Sequence, residues 1–163
     1  MNLQELTALF RKLGAEDPEG WSRSQIREGI PQLARFLFLK QAWKMVVSED
    51  DREWISEARR VDPNDPGGDL APAIARILAA GGTESDLTKV VRIMQWQLLF
   101  GLCYLLDDPE HMRDDRETIQ KEAGDILWSL FQVDENCSPL AVVGGLHESV
   151  LETEPTGREM RPR

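Results

Sequence analysis

Between Asp86 and Asp108 the chain reads DLTKVVRIMQWQLLFGLCYLLDD, and no other stretch restricts the fold as strongly. Leu87, Val90, Val91 and Met94 recur at helical spacing, with Lys89 and Arg92 between them. From Leu98 to Leu106 the side chains are apolar on every side apart from Gly101. A helix that is apolar all round needs neighbours all round, so the pattern predicts a central buried helix wrapped by others. The run from Ile93 to Leu106 covers 14 residues and includes Gln95 and Gln97. A membrane-spanning segment needs about 20 apolar residues, so this run is read as a buried helix.

The remaining periodicity supplies the wrapping. Residues 2 to 13 place Leu3, Leu6, Leu9, Phe10 and Leu13 on one helical face, closed by Gly14. An acidic loop follows from Ala15 to Gly20, and Ser22 with Gln25 reads as the capping box of a short turn. Pro31 opens a second long helix to about Val47, rich in Leu33, Phe36, Leu37, Leu39 and Trp43. A short helix is expected over 50 to 60, acidic first and basic last, as the helix dipole favours. Two Pro and two Gly between Val61 and Asp69 make a loop. Asp69 is positioned to cap a helix over Leu70 to Ala80, which Gly81-Gly82 stops. Thr83, with Asp86 three residues on, caps the central helix. A further helix is expected from Asp114 to about Leu130. Phe131, Val133 and Leu140 to Val143, around a polar turn, suggest a small β-hairpin. Residues 152 to 163 have no apolar period and are expected to form a loose tail after a single helical domain over 1 to 151.

Charge narrows the classes of function. Residues 1 to 47 carry seven Lys/Arg and five Asp/Glu, a balance of +2. Residues 48 to 163 carry the other twelve and twenty-four, a balance of −12, for −10 in all. Such a surface repels nucleic acid and anionic lipid and favours basic partners. The N-terminus has Glu5 inside its apolar stripe and lacks the pattern of a signal peptide. Cys103 sits in the apolar run and Cys137 in a polar turn, which suits two free thiols in a reducing cytosol.

Catalytic patterns are sparse. His111 lies among the carboxylates of Asp107 to Asp115, but the spacing matches no EF-hand loop. His147, Glu148 and Ser149 are sequence neighbours, and a triad needs groups converging from different elements. Cys137 has no basic neighbour to lower its thiol pKa. No Gly-rich phosphate loop, paired CxxC or HExxH is present.

Lys121-Glu-Ala-Gly-Asp-Ile-Leu-Trp128 resembles the second metal-binding motif of the all-α nucleotide pyrophosphohydrolases of the MazG type. The resemblance covers eight residues of 163. It implies an E-x-x-D pair, Glu122 and Asp125, holding magnesium beside a triphosphate. The family also carries an earlier E-x-x-E pair on a preceding helix. Here Gln95 and Gln97 stand on that helix, and the nearest upstream match in spacing is Asp50 with Glu53.

The expected fold is therefore all-α or nearly so: a bundle of about six helices around a central one, with a small C-terminal hairpin. The expected function is a non-enzymatic, bacterial-type cytosolic domain that binds a basic protein without a cofactor, an immunity or antitoxin-like inhibitor being the concrete form. The candidate contact residues are Glu49, Asp50, Asp51, Trp54, Asp107, Asp108, Glu110, Asp114 and Asp115. The alternatives are the magnesium-dependent hydrolase and a homodimer burying the apolar side of the Pro31 helix.

Overall fold

The computed structural model describes residues 1–109, 116–124 and 126–162. Among them the chain is mostly α, with eight helices and one two-stranded antiparallel sheet near the C-terminus, in line with the sequence pattern. Contacts gather into two compact units. The first comprises residues 1–43 and 99–163, the second residues 44–98.

In the first unit, α1 (Leu3–Leu13) starts at a complete capping box. Asn2 accepts from the Glu5 N–H at 3.0 Å, and the Glu5 carboxylate accepts from the Asn2 N–H at 3.0 Å. Gly14 closes the helix in the left-handed region at φ 85°, where glycine avoids the Cβ penalty. The expected loop and short turn that follow are instead one helix, α2 (Pro18–Glu28). Asp17 caps it by accepting the Gly20 N–H at 2.8 Å, and Pro18 takes the first helical position. Ser22 therefore lies inside the helix, donating to the Pro18 carbonyl at 2.6 Å. Gln25 accepts the Leu33 N–H at 2.8 Å, a bond that helps start the next helix.

That helix, α3 (Gln32–Trp43), ends four residues short of Val47 and buries Phe36, Leu39 and Trp43 inside the chain. Leu6, Phe10, Trp21 and Phe36 form the core of this unit. Phe10 meets Trp21 at 5.9 Å and Phe36 at 5.5 Å, and Trp21 meets Phe36 at 5.4 Å, the latter two edge-on. Each such pair contributes about 0.5–1.5 kcal/mol beyond the area it buries.

In the second unit, α4 (Glu53–Ala58) and α5 (Leu70–Ala79) meet through Ile55, Ala58 and Ile74, with Trp54, Leu78 and Leu87 packed around them. Asp51 caps α4 by accepting the Glu53 N–H at 2.7 Å. Asp69 makes no side-chain cap to α5, contrary to expectation.

The long helix α6 (Glu84–Asp107) starts as its sequence predicts, with Thr83 Oγ1 accepting the Asp86 N–H at 3.0 Å. Its buried face is not the one expected. In the second unit Thr88 is 0% and Arg92 5% exposed, whereas Met94 is 64% and Leu98 65% exposed. The reason is the backbone that α6 covers. Arg92 donates to the Val47 carbonyl at 2.7 Å, Gln95 accepts the Val47 N–H at 2.8 Å, and Thr88 donates to the Asp51 carbonyl at 3.2 Å. Loop backbone withdrawn from water must find partners, and polar side chains supply them where apolar ones cannot. In the first unit only Cys103 of the apolar run is fully buried, and Leu102 stays exposed. The central helix is thus faced on one side rather than sheathed. No helix among the described residues is long and apolar enough to cross a membrane.

The helix expected from Asp114 to Leu130 is α7 (Arg116–Ala123) alone, because Gly124 turns the chain at φ 75°. Residues 126–130 are not helical. The hairpin follows as β1 (Phe131–Val133) and β2 (Pro139–Val142), pairing Phe131 with Val142 and Gln132 with Ala141 before a bulge. Then comes α8 (Leu146–Ser149). The stretch after residue 151 is not the loose tail that its composition suggests. Glu154 is buried, and its carboxylate accepts from the Thr156 hydroxyl at 2.5 Å and the Arg158 N–H at 3.3 Å.

Candidate functional site

Two features of the first unit bring distant residues together. One is the meeting of α6 and α8. Asp107, with a side chain only 6% exposed, accepts the His147 backbone N–H at 2.8 Å through Oδ2, and the same oxygen lies 2.6 Å from the His147 ring Nδ1. Tyr104 and Phe100 stand beside the ring, with centroids 4.6 and 6.4 Å away. Asp107 Oδ1 is buried with no hydrogen-bond partner among the described residues. Burial pushes the Cys103 thiol, one turn back on α6, up to about 12, and the Asp107 charge adds to the effect.

The other is a cavity of about 440 Å³ walled by α2, α3, α8 and the chain beyond α8. Its lining includes Trp21, Ser24, Gln32, Arg35 and Ser149, together with the carboxylates of Glu16, Asp17, Glu148, Glu152 and Glu159. Arg35 Nη1 donates to Ser149 Oγ at 3.4 Å, a long bond, and Arg35 Nε is buried without a partner among the described residues. Burial holds the guanidinium below its ordinary pKa, while Asp107, Glu148, Glu152 and Glu28 pull the other way. The Glu152 carboxyl is raised first by burial and then by Glu159, with Arg35 opposing. Gly145 is what admits Arg35. It stands at φ 68°, and a Cβ there would lie 2.5 Å from Arg35 Nη2. Gln32 is 7% exposed; its Nε2 donates to Ser24 Oγ at 2.8 Å, and its Oε1 has no partner among the described residues.

The acidic residues singled out in the sequence are placed differently. Glu49, Asp50 and Asp51 lie in the second unit, and the Asp51 carboxylate is committed to capping α4. Trp54 is half-buried on the Ile55–Ile74 core, and its indole N–H donates to Thr88 Oγ1 at 2.9 Å. Asp107 faces His147, and Asp108 is half-buried. Glu110, His111, Asp114, Asp115 and Asp125 lie outside the described residues. Glu122 is exposed on α7, which ends at Ala123.

Sequence reasoning passed over Arg35 and Gln32, set His147 and Ser149 aside as a failed triad, and did not pair Asp107 with His147. A signal for part of this was present in Gly144-Gly145, since paired glycines before a short helix mark a close backbone approach. The partners themselves are 114 and 40 residues apart and have no local signature. Comparison with family models, with curated proteins and with solved structures gave no match.

Proposed function

We propose that the chain is a non-enzymatic cytosolic binding domain that docks on a basic protein, as an immunity or antitoxin-like inhibitor docks on a cationic enzyme. The observation that carries this reading is the uncovered hairpin. Phe131, Val133, Leu140 and Val142 are between 44% and 60% exposed on a sheet of only two strands. A lone two-stranded hairpin is marginal in water, and contiguous apolar surface on a soluble domain marks a contact site. Its turn carries Asp134 and Glu135, and the chain as a whole carries −10. That charge opposes pairing with a second copy and favours a partner with basic residues around an apolar centre. The two free cysteines fit a reducing compartment, and the reading calls for no cofactor.

The test is affinity capture from the native cytosol, followed by titration of the captured protein against wild type, Phe131→Asp and Val142→Asp. A basic partner is expected, with affinity that falls steeply as salt rises and is lost in both variants. Recovery of no partner, or binding indifferent to ionic strength, removes the reading.

A further inference from the structure

We propose that the partner docks by adding an extended strand, antiparallel, to the free edge of β1, with apolar residues alternating with basic ones. The proposal rests on the docking reading and names the form of the partner's contacting segment.

The ladder fixes which backbone groups are free. The Leu130 carbonyl accepts the Val143 N–H at 2.8 Å, and the Asp134 N–H donates to the Ser138 carbonyl at 3.0 Å. Successive residues of an antiparallel strand turn their backbone groups to the paired strand and to the open edge by turns. Leu130, Gln132 and Asp134 therefore face β2, and Phe131 and Val133 direct their N–H and C=O groups outward. None of these four groups meets a partner among the described residues. The other edge, on β2, is poorer. Pro139 has no N–H, and Leu140 is the extra residue of the bulge between the Ala141–Gln132 and Pro139–Val133 pairs. Proline, bulges and charge are devices that blunt a sheet edge, and Phe-Gln-Val on β1 has none of them.

The side chains select what the added strand carries. Phe131 and Val142 are paired and exposed, whereas Val143 is buried, so the outer face of the hairpin is the apolar one. An added residue opposite Phe131 or Val133 lies on that face and gains as an apolar cross-strand pair. Asp134 and Glu135 follow β1, and Asp134 Oδ1 is held in the turn by the N–H groups of Asn136 and Ser138 at 2.8 and 2.9 Å. An antiparallel strand begins beside these acids, where a basic residue is favoured. A docked helix would meet the apolar side chains but keeps its own backbone bonds internal, so it would cover the four groups without satisfying them. A second copy pairing β1 with β1 would bring another −10 to the contact. A third strand also completes a sheet that two strands leave marginal.

The probe is a synthetic heptapeptide of alternating lysine and valine, titrated into the full chain by calorimetry and followed by amide NMR. One-to-one binding weakened by salt is expected. Hydrogen exchange at the Phe131 and Val133 N–H groups should slow about tenfold or more at saturation, with Gln132, already facing β2, changing less. In antiparallel addition the valines carry the N–H groups that reach β1. N-methylation of the valines should therefore weaken binding about tenfold or more, the loss of two hydrogen bonds, and N-methylation of the lysines should not. Every comparison uses the wild-type chain, so no variant has to fold. Protection of neither amide, or equal effects of the two methylations, overturns strand addition and leaves the docking reading to its own capture and salt tests. No peptide binding at millimolar concentration also overturns it. So does protection of Phe131 and Val133 in the peptide-free chain that grows with protein concentration, which would mark self-pairing instead.

Discussion

Asp107 Oδ2 meets both the backbone N–H and the ring nitrogen of His147, at 2.8 and 2.6 Å, so one buried carboxylate holds the start of α8 against the end of α6. The two residues are 40 positions apart, and the bond closes the loop that carries the hairpin. Removing the acceptor leaves the His147 N–H unpaired in a partly buried place. Asp107→Ala is expected to cost about 2–4 kcal/mol, the range for losing a charged acceptor of two donors. Urea unfolding followed by fluorescence checks it, through a lower midpoint at an unchanged slope.

Gly145 carries two independent demands for glycine. Its φ of 68° disfavours any Cβ, and the Arg35 guanidinium occupies the space that a Cβ would take. Gly145→Ala is expected to cost about 1–3 kcal/mol from backbone conformation alone, with crowding added. A thermal melt reads the loss. Gly124, also at positive φ but with nothing within 4 Å of its would-be Cβ, should show the backbone part alone.

The rotated buried face of α6 gives a contrast between substitutions. Arg92→Leu makes the helix more apolar yet removes the partner of the Val47 carbonyl. It is expected to destabilise by about 1–3 kcal/mol, the cost of an unsatisfied buried group. Met94→Gln, on the exposed face, should change stability by no more than about 0.5 kcal/mol. Chemical denaturation of the two variants separates this orientation from the one the apolar stripe alone suggests, which orders them oppositely.

Cys103 and Cys137 should behave as different thiols. Cys137 is exposed and Cys103 buried, so a thiol reagent at neutral pH is expected to modify one cysteine per native chain and two after unfolding. Burial raises the Cys103 pKa from 9.0 to about 12. Between those values the unfolded chain has released a proton that the native chain keeps, so stability falls as pH rises through this window. Cys103→Ala should flatten that part of the pH profile of the unfolding midpoint.

Much of the local structure was readable before folding. Gly14 bounded α1, Thr83 with Asp86 opened α6, and the alternation around Phe131 and Leu140 announced the hairpin. The signal for α2 was also present, as an Asp before a Pro with Gly29 closing, but acidity suggested a loop. Residues such as Trp54 and Asp107 were legible as unusual, while their partners Thr88 and His147 were not.

Sequence alone determined where α1, α5 and α6 begin and end, because caps, prolines and glycines act on groups a few residues away. It also determined the overall acidity and the mostly-α class. Only the tertiary structure decided which side of α6 is inside, since that depended on loop carbonyls and amides at Val47 and Asp51 that needed polar partners. It likewise decided that Arg35 would stand beside Ser149 and Asp107 beside His147. Such meetings depend on how the whole chain closes, and residue spacing carries no record of that closure.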